Sequence, residues 1–305
     1  MISSFFKEKE SLLFDPNSQF VLFSGTGVNG NGPFRHLNDL FIVLYLLLKK
    51  NIRPENIYIT IDKAILNHLN ARTNHKKFQL LDNGTKTFYE IISALPEKNI
   101  IDVQSFEKDF NRKKTDLIFI ASGHGSIQGL SIDNGINTSK FLSSDYFEDI
   151  ADKKFRTILI MSQCQAAAFH HLDTRKNICV LGASDYQSSV SLPIIAMTNN
   201  AILADHLSFE QNIAINPFIF AFFIIMMNHE NIIINKNKNI INLFKYVAAT
   251  TLDFLSKTGH REIVIEKQKI VDMQGDYLKL RFDERILVQQ PFLLNKILAA
   301  RIKFT

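Results

Sequence analysis

The amino-acid sequence predicts an α/β protein, with a mostly parallel central sheet of about six strands and helices on both faces. Three observations predict it. Short continuous apolar runs rich in Ile, Leu, Val and Phe recur along the chain, as strands buried on both faces require. Longer segments with apolar residues at helical spacing separate them. No internal repeat and no low-complexity linker divides the 305 residues, so a single domain over 1–305 is expected, with a core over about 18–230 and residues 231–305 completing or extending the sheet.

The elements follow in order. Residues 20–23, FVLF, read as the first buried strand. A Gly- and Asn-rich loop over 24–33 leads into a helix on which Leu37, Leu40, Phe41, Leu44, Leu47 and Leu48 share a face. Residues 56–62, NIYITID, form the second strand after a turn at Pro54; 86–95 read as a helix, and 116–122, DLIFIAS, as the third strand. Leu130 to Ile132, followed by Asn134-Gly135, predict a small hairpin. Ser143 or Ser144 can cap a helix over 145–151. RTILIMSQ, 156–163, is the fourth strand, followed by a helical CQAAAFHH, and NICVLGAS, 177–184, is the fifth. INPFIFAFFIIMM, 215–227, is too short to span a membrane and predicts a buried helix with Pro217 in its first turn. A further helix covers about 240–256, REIVIE and DYLKLRF read as the last strands, and a closing helix starts at Pro291.

Composition excludes several function classes. With 46% hydrophobic and 21% charged residues the chain is not disordered. The net charge of +5 comes from scattered Lys and Arg, with no basic run interleaved with aromatics, so no nucleic-acid partner is expected. Two cysteines, Cys164 and Cys179, make no disulfide framework and suit a reducing compartment. The N-terminal MISSFFKEKESLLF carries charges where a signal peptide has its apolar core. A cytoplasmic protein is therefore expected, with signal-independent export as the alternative.

The chemistry concentrates where parallel strands end, since sites in such sheets form beyond the carboxyl ends of strands. The third strand runs into Ser122-Gly123-His124-Gly125-Ser126, and the fourth into Ser162-Gln163-Cys164-Gln165-Ala166. One strand–helix–strand crossover separates His124 from Cys164. On neighbouring strands they leave the same edge of the sheet, and an adjacent imidazole can deprotonate a thiol. Gly123 and Gly125 give the chain room to turn, and the amides of Gly125 and Cys164 can serve a developing oxyanion. A helix opening at Cys164 would add a dipole that favours the thiolate. Cys179, between Ile178 and Val180 in an apolar strand, is assigned to the core. Arg35, just after the Gly-rich loop, is either a pocket residue or a surface arginine paired with Asp39, and His36 reads as a hydrogen-bonded core histidine. The glycine spacing of SGTGVNGNG fits no nucleotide fingerprint, and adjacent His170 and His171 do not make a metal chelate.

Several segments together resemble the legumain-like branch of the caspase-fold (clan CD) cysteine peptidases, which includes the catalytic subunit of the GPI transamidase. LIFIASGHGS resembles the family's strand and His-Gly motif, and ILIMSQCQAAAF its strand and Cys motif. GPFRHLNDLFIVLYLLLKKNIRPENIYITID is similar to the Tyr-Arg-His segment, first helix and second strand, and GASDYQSSVS to the strand lining the primary specificity pocket. NPFIFAFFIIMMN resembles a later helix, so the likeness covers about 20–228. It implies a three-layer caspase-like fold and peptide-bond hydrolysis through an acyl-enzyme, with no cofactor or metal and with polypeptides as partners. It also implies His124 as catalytic base, Cys164 as nucleophile, and Gly125 with Cys164 as the oxyanion hole. Substrate would be bound by Arg35, Ser162, Ser184, Asp185, Ser189 and Asp205. Ser162 stands where the family carries Glu, so the family's asparagine preference is not carried over. Self-cleavage for activation would fall in loops near 134–140 or 236–239. Two alternatives stay open: a transpeptidase or ligase using the same dyad with an amine acceptor, and a non-catalytic scaffold.

Overall fold

The structure is a computed structural model that describes residues 11–26, 33–62, 64, 78–80, 84–86, 91–106, 115–132, 140–185, 189, 191–193, 197, 207–208, 214–228, 239–257 and 291–303. The first half of the chain supplies β1 (Gln19–Ser24), α1 (Pro33–Lys49), β2 (Ile57–Ile61), β3 (Ile100–Asp102) and β4 (Leu117–Ser122). A three-stranded meander follows, β5 (Gly125–Ser126), β6 (Gly129–Ile132) and β7 (Lys140–Leu142), then α2 (Ser144–Ala151). Next come β8 (Thr157–Met161), a 3₁₀ helix (Ala166–Thr174), β9 (Ile178–Gly182), α3 (Pro217–Asn228), α4 (Ile240–Lys257), β10 (Phe292–Leu294) and α5 (Lys296–Arg301).

The central sheet has seven strands in the order β10-β9-β8-β4-β1-β2-β3. Six run parallel, and β10 closes one edge antiparallel to β9. The chain starts in the middle at β1, builds outward through β2 to β3, then crosses to the other side of β1 as β4. The strand order reverses between β1 and β4, and a crevice opens at such a switch point beyond the carboxyl ends of the strands.

Alternation along each strand explains the three layers. Phe20, Leu22, Ile118, Ile120, Ile158, Ile160, Cys179 and Leu181 belong to one core cluster, with the apolar faces of α1, α3 and α4. Val21, Phe23, Phe119, Ala121, Leu159, Met161 and Val180 belong to the other, under α2, the meander and the 3₁₀ helix. Phe147 of α2 binds the second layer, packing edge-on against Phe119 (4.9 Å between ring centroids) and Phe169 (5.4 Å). In α3, Phe218, Phe220, Phe222 and Phe223 are all essentially inaccessible, so this apolar run is a core helix. No helix among the described residues is long and apolar enough to cross a membrane. The three-layer arrangement and mostly parallel sheet are those of the caspase-like fold expected from the motifs.

Most expected elements appear within two residues of their predicted limits. Ser143 rather than Ser144 caps α2, its Oγ accepting from the Tyr146 amide. Three local expectations change. Lys86 ends a short strand, Gly84–Lys86, paired with Phe78–Leu80; of the helix predicted over 86–95, residues 87–90 lie outside the described residues, 91–92 are helical and 93–95 turn. The segment after Cys164 is a 3₁₀ helix starting at Ala166. Pro291 does not open a helix: Phe292–Leu294 pair with β9, and α5 starts beyond Asn295, whose side chain accepts from the Leu298 amide. The expected hairpin is present as the antiparallel pair β6 and β7, and β5, which pairs with β6, extends it to a meander. REIVIE, DYLKLRF, Asn134 and Gly135 lie outside the described residues.

Candidate active site

β4 and β8 are adjacent and in register, with Ala121 opposite Met161. His124 and Cys164 each lie three residues beyond those paired positions, so the two side chains leave the sheet at equivalent points of neighbouring strands. The ladder runs one residue further: both the amide and the Oγ of Ser162 donate to the Ala121 carbonyl, at 3.0 and 2.7 Å. The two segments then touch. A Cβ built at Gly125 would lie 2.4 Å from the Cys164 carbonyl oxygen and 2.4 Å from Gln163 Cγ, so the absence of a side chain lets the His-Gly backbone rest on the Cys backbone. Gly123 has no such constraint, since a Cβ there would meet its nearest neighbour at 3.4 Å, an ordinary contact. The His124 carbonyl is fixed from the other side by the Ser131 amide at 2.9 Å.

Both reactive side chains are half-buried. Cys164 sits in a turn rather than at a helix start, and Gln165 after it adopts a left-handed conformation with φ 51°. The expected helix dipole at the sulfur is therefore replaced by a specific donor. The Ser189 amide donates to Cys164 Sγ at 3.2 Å, and the Ser189 carbonyl lies 3.7 Å from the sulfur. Cys179 is the opposite case: it is fully buried, and burial pushes its thiol up to about 12.

A buried polar network lies behind the pair. His36, from the first turn of α1, packs edge-on to His124 with ring centroids 5.1 Å apart. Its Nδ1 is 3.0 Å from Ser122 Oγ, which in turn donates to Asp39 Oδ2 at 2.5 Å. Asp39 Oδ1 accepts from the Asn216 amide at 2.7 Å. The Asn216 side chain donates to Ser189 Oγ (2.6 Å) and to the Ser162 carbonyl (3.3 Å), and its Oδ1 caps α3 by accepting from the Phe218 amide. A continuous path thus joins the His124 side of the site to the Cys164 side.

Burial holds His36 at about 3, with the Arg35 and His124 charges acting in the same sense, so it is neutral at physiological pH. Burial raises Asp39 to about 7, against the opposing effects of the Ser122 and Asn216 hydrogen bonds and of Arg35. The folded state therefore binds this proton more tightly than the unfolded chain does. Its contribution to stability is present in full below 3.8 and is lost as pH rises through about 7. Between about pH 5 and about pH 8 the thermal midpoint of the wild type should fall further than that of Asp39→Asn. Parallel midpoint curves in differential scanning fluorimetry would show that Asp39 does not titrate in that window.

The expected substrate-binding residues separate. Ser189 is drawn to Cys164, and Arg35 Nε donates to His36 Nε2 at 3.2 Å. Ser162 is buried with its hydroxyl on Ala121. Ser184 is fully buried, its carbonyl accepting from the Ala166 amide. The Asp185 carbonyl accepts from the Ala167 amide, and its side chain faces His170, with Oδ1 3.0 Å from Nε2. Asp205 lies outside the described residues. Asp39 is 1% exposed, so it is not the surface partner of Arg35. Asp39 and Asn216 were not legible as site residues; the Asn-Pro pair at 216–217 signals a helix cap but not the bonds to Ser162 and Ser189. In comparison with known sequences, no family model and no curated protein matches the chain.

Proposed function

We propose that the protein is a cysteine endopeptidase of the caspase-fold, legumain-like kind, acting on polypeptides through a His124–Cys164 dyad. One observation carries the reading: the histidine and the cysteine lie at equivalent positions beyond adjacent parallel strands, with the Gly125 backbone resting on that of Cys164. In this reading His124 takes the proton of the Cys164 thiol, and the sulfur attacks the scissile carbonyl carbon. The carbonyl electrons move to oxygen, where the Gly125 and Cys164 amides receive the charge. The intermediate collapses, the protonated amine leaves, and water activated by His124 then releases the acid from the thioester. The reading suits a reducing compartment such as the cytoplasm, since it needs a free thiol, and both cysteines are free in this structure.

A peptide bearing a carbon electrophile at the scissile position tests the dyad without knowledge of the substrate. The expected result is one covalent adduct, mapped by mass spectrometry to Cys164, with Cys179 unlabelled and labelling slowed in His124→Ala. Equal labelling of both cysteines, or a Cys164 rate indifferent to His124, would contradict the reading.

A further inference from the structure

The buried network has a direction. The Nε–H of Arg35 can only donate, so His36 Nε2, at 3.2 Å, accepts. The ring proton of the neutral imidazole therefore sits on Nδ1 and is given to Ser122 Oγ, whose own hydroxyl hydrogen goes to Asp39 Oδ2. The chain of donors runs Arg35 to His36 to Ser122 to Asp39, with a guanidinium at one end and a carboxylate at the other. Among the described residues this is the one side-chain hydrogen bond of Arg35, and it engages Nε, leaving the terminal fork of Nη donors for another group.

We propose that Asp39 is a positioning residue: as the acceptor that ends this chain, it sets the direction of every bond in it and so presents the Arg35 fork to a substrate carboxylate beside the dyad. The inference rests on the reading of Arg35 and Cys164 as parts of one site. A neutral group at position 39 reverses the chain. With one oxygen still accepting from the Asn216 amide, an Asn side chain or a protonated carboxyl turns a hydrogen toward Ser122. Among the described residues the buried Ser122 hydroxyl then has His36 Nδ1 as its one remaining acceptor and donates to it, so the imidazole proton moves to Nε2, and Nε2 faces the Nε–H of Arg35 donor to donor. Arg35 must leave.

The groups facing Asp39 limit what else can titrate here. Its own helix brings Arg35 and His36, and His124 lies beyond His36. β4 contributes Ser122, and α3 contributes Asn216 and the positive end of its dipole; none of these three changes charge. The carboxyl is raised by burial to about 7, so the reversal falls near neutral pH.

Two small alkylating agents read Arg35 without any substrate. Iodoacetate carries a carboxylate and iodoacetamide does not, and the ratio of their rates at Cys164 cancels the state of the thiol. Rates are measured on the full chain by mass spectrometric mapping, and every protein compared, the one called wild type included, carries His124→Gln, so that no imidazole charge beside the sulfur enters the ratio. In the wild type the iodoacetate-to-iodoacetamide ratio should fall about tenfold from about pH 8 to about pH 6, the order expected for gain or loss of one cation near a half-buried sulfur. In Asp39→Asn the ratio should be low and flat, matching Arg35→Gln. Ser122→Ala cuts the chain while keeping both end charges, and should make the ratio independent of pH, which keeps the inference testable if Asp39→Asn fails to fold. A pH-independent wild-type ratio overturns the inference, and so does any of the three variants retaining the wild-type curve. Alkylation needs no turnover, so a protein that shows the predicted ratios but cleaves no peptide contradicts the peptidase reading alone.

Discussion

Cys164→Ala should lower kcat/KM on a cleaved peptide by at least about 10⁴-fold while leaving the fold intact. The size follows from the role. Without the sulfur there is no acyl-enzyme, and only oxyanion donors and binding remain, which in hydrolases of this logic sustain a small residual rate. The fold should survive because Cys164 is half-buried in a turn and belongs to neither core cluster. What the substitution removes locally is the acceptor of the Ser189 amide, a weak N–H to sulfur contact at 3.2 Å. Circular dichroism and the thermal midpoint should match the wild type. An inactive variant that is also unfolded would not bear on the nucleophile, so Cys164→Ser is the paired control. It keeps the volume and a hydrogen-bonding group but replaces the thiol, and it too should be inactive.

His124→Ala should cost a comparable factor, about 10⁴-fold or more, and the double variant Cys164→Ala with His124→Ala should be little worse than either alone. Two residues that act on one proton fail as a unit. Additive losses would instead indicate separate roles. His124 also packs against His36, so its removal opens space at the ring edge. His36 keeps its Ser122 and Arg35 partners in the variant, and the buried chain behind the site should persist. Kinetics of the two single variants and the double variant, at one pH and on one peptide, decide the matter.

The sheet and the places where His124 and Cys164 leave it were legible for the same reason. Strands buried on both faces must be continuous apolar runs, and FVLF, IYITI, LIFIAS, TILIM and ICVLG are such runs. Their ends are then visible as the first polar residues, Ser122 and Ser162, and His124 and Cys164 each stand two residues further on. Short or tertiary-dependent elements were not legible. Ile100–Asp102 is only three residues, and its strand character comes from pairing with β2. Pro291 carries a helix-start signal, yet the edge of β9 recruits Phe292–Leu294 as a strand and the helix waits for Asn295. Gln165 has no sequence feature that announces its left-handed turn. Asp39 was hidden more deeply. Beside Asn38 it reads as part of a solvated helix face, and its partners Ser122 and Asn216 lie 83 and 177 residues away in sequence. A polar residue buried by long-range partners leaves no periodic trace.

In the proposed peptidase one thiol and one imidazole make and break an acyl-enzyme. Digestion of a diverse peptide library, with products identified by mass spectrometry, tests that most directly. The wild type should cut with a recognisable residue preference, and Cys164→Ala, folded and at equal concentration, should produce none of those cuts. A folded wild type that leaves the library intact, or identical cuts from both proteins, would contradict it.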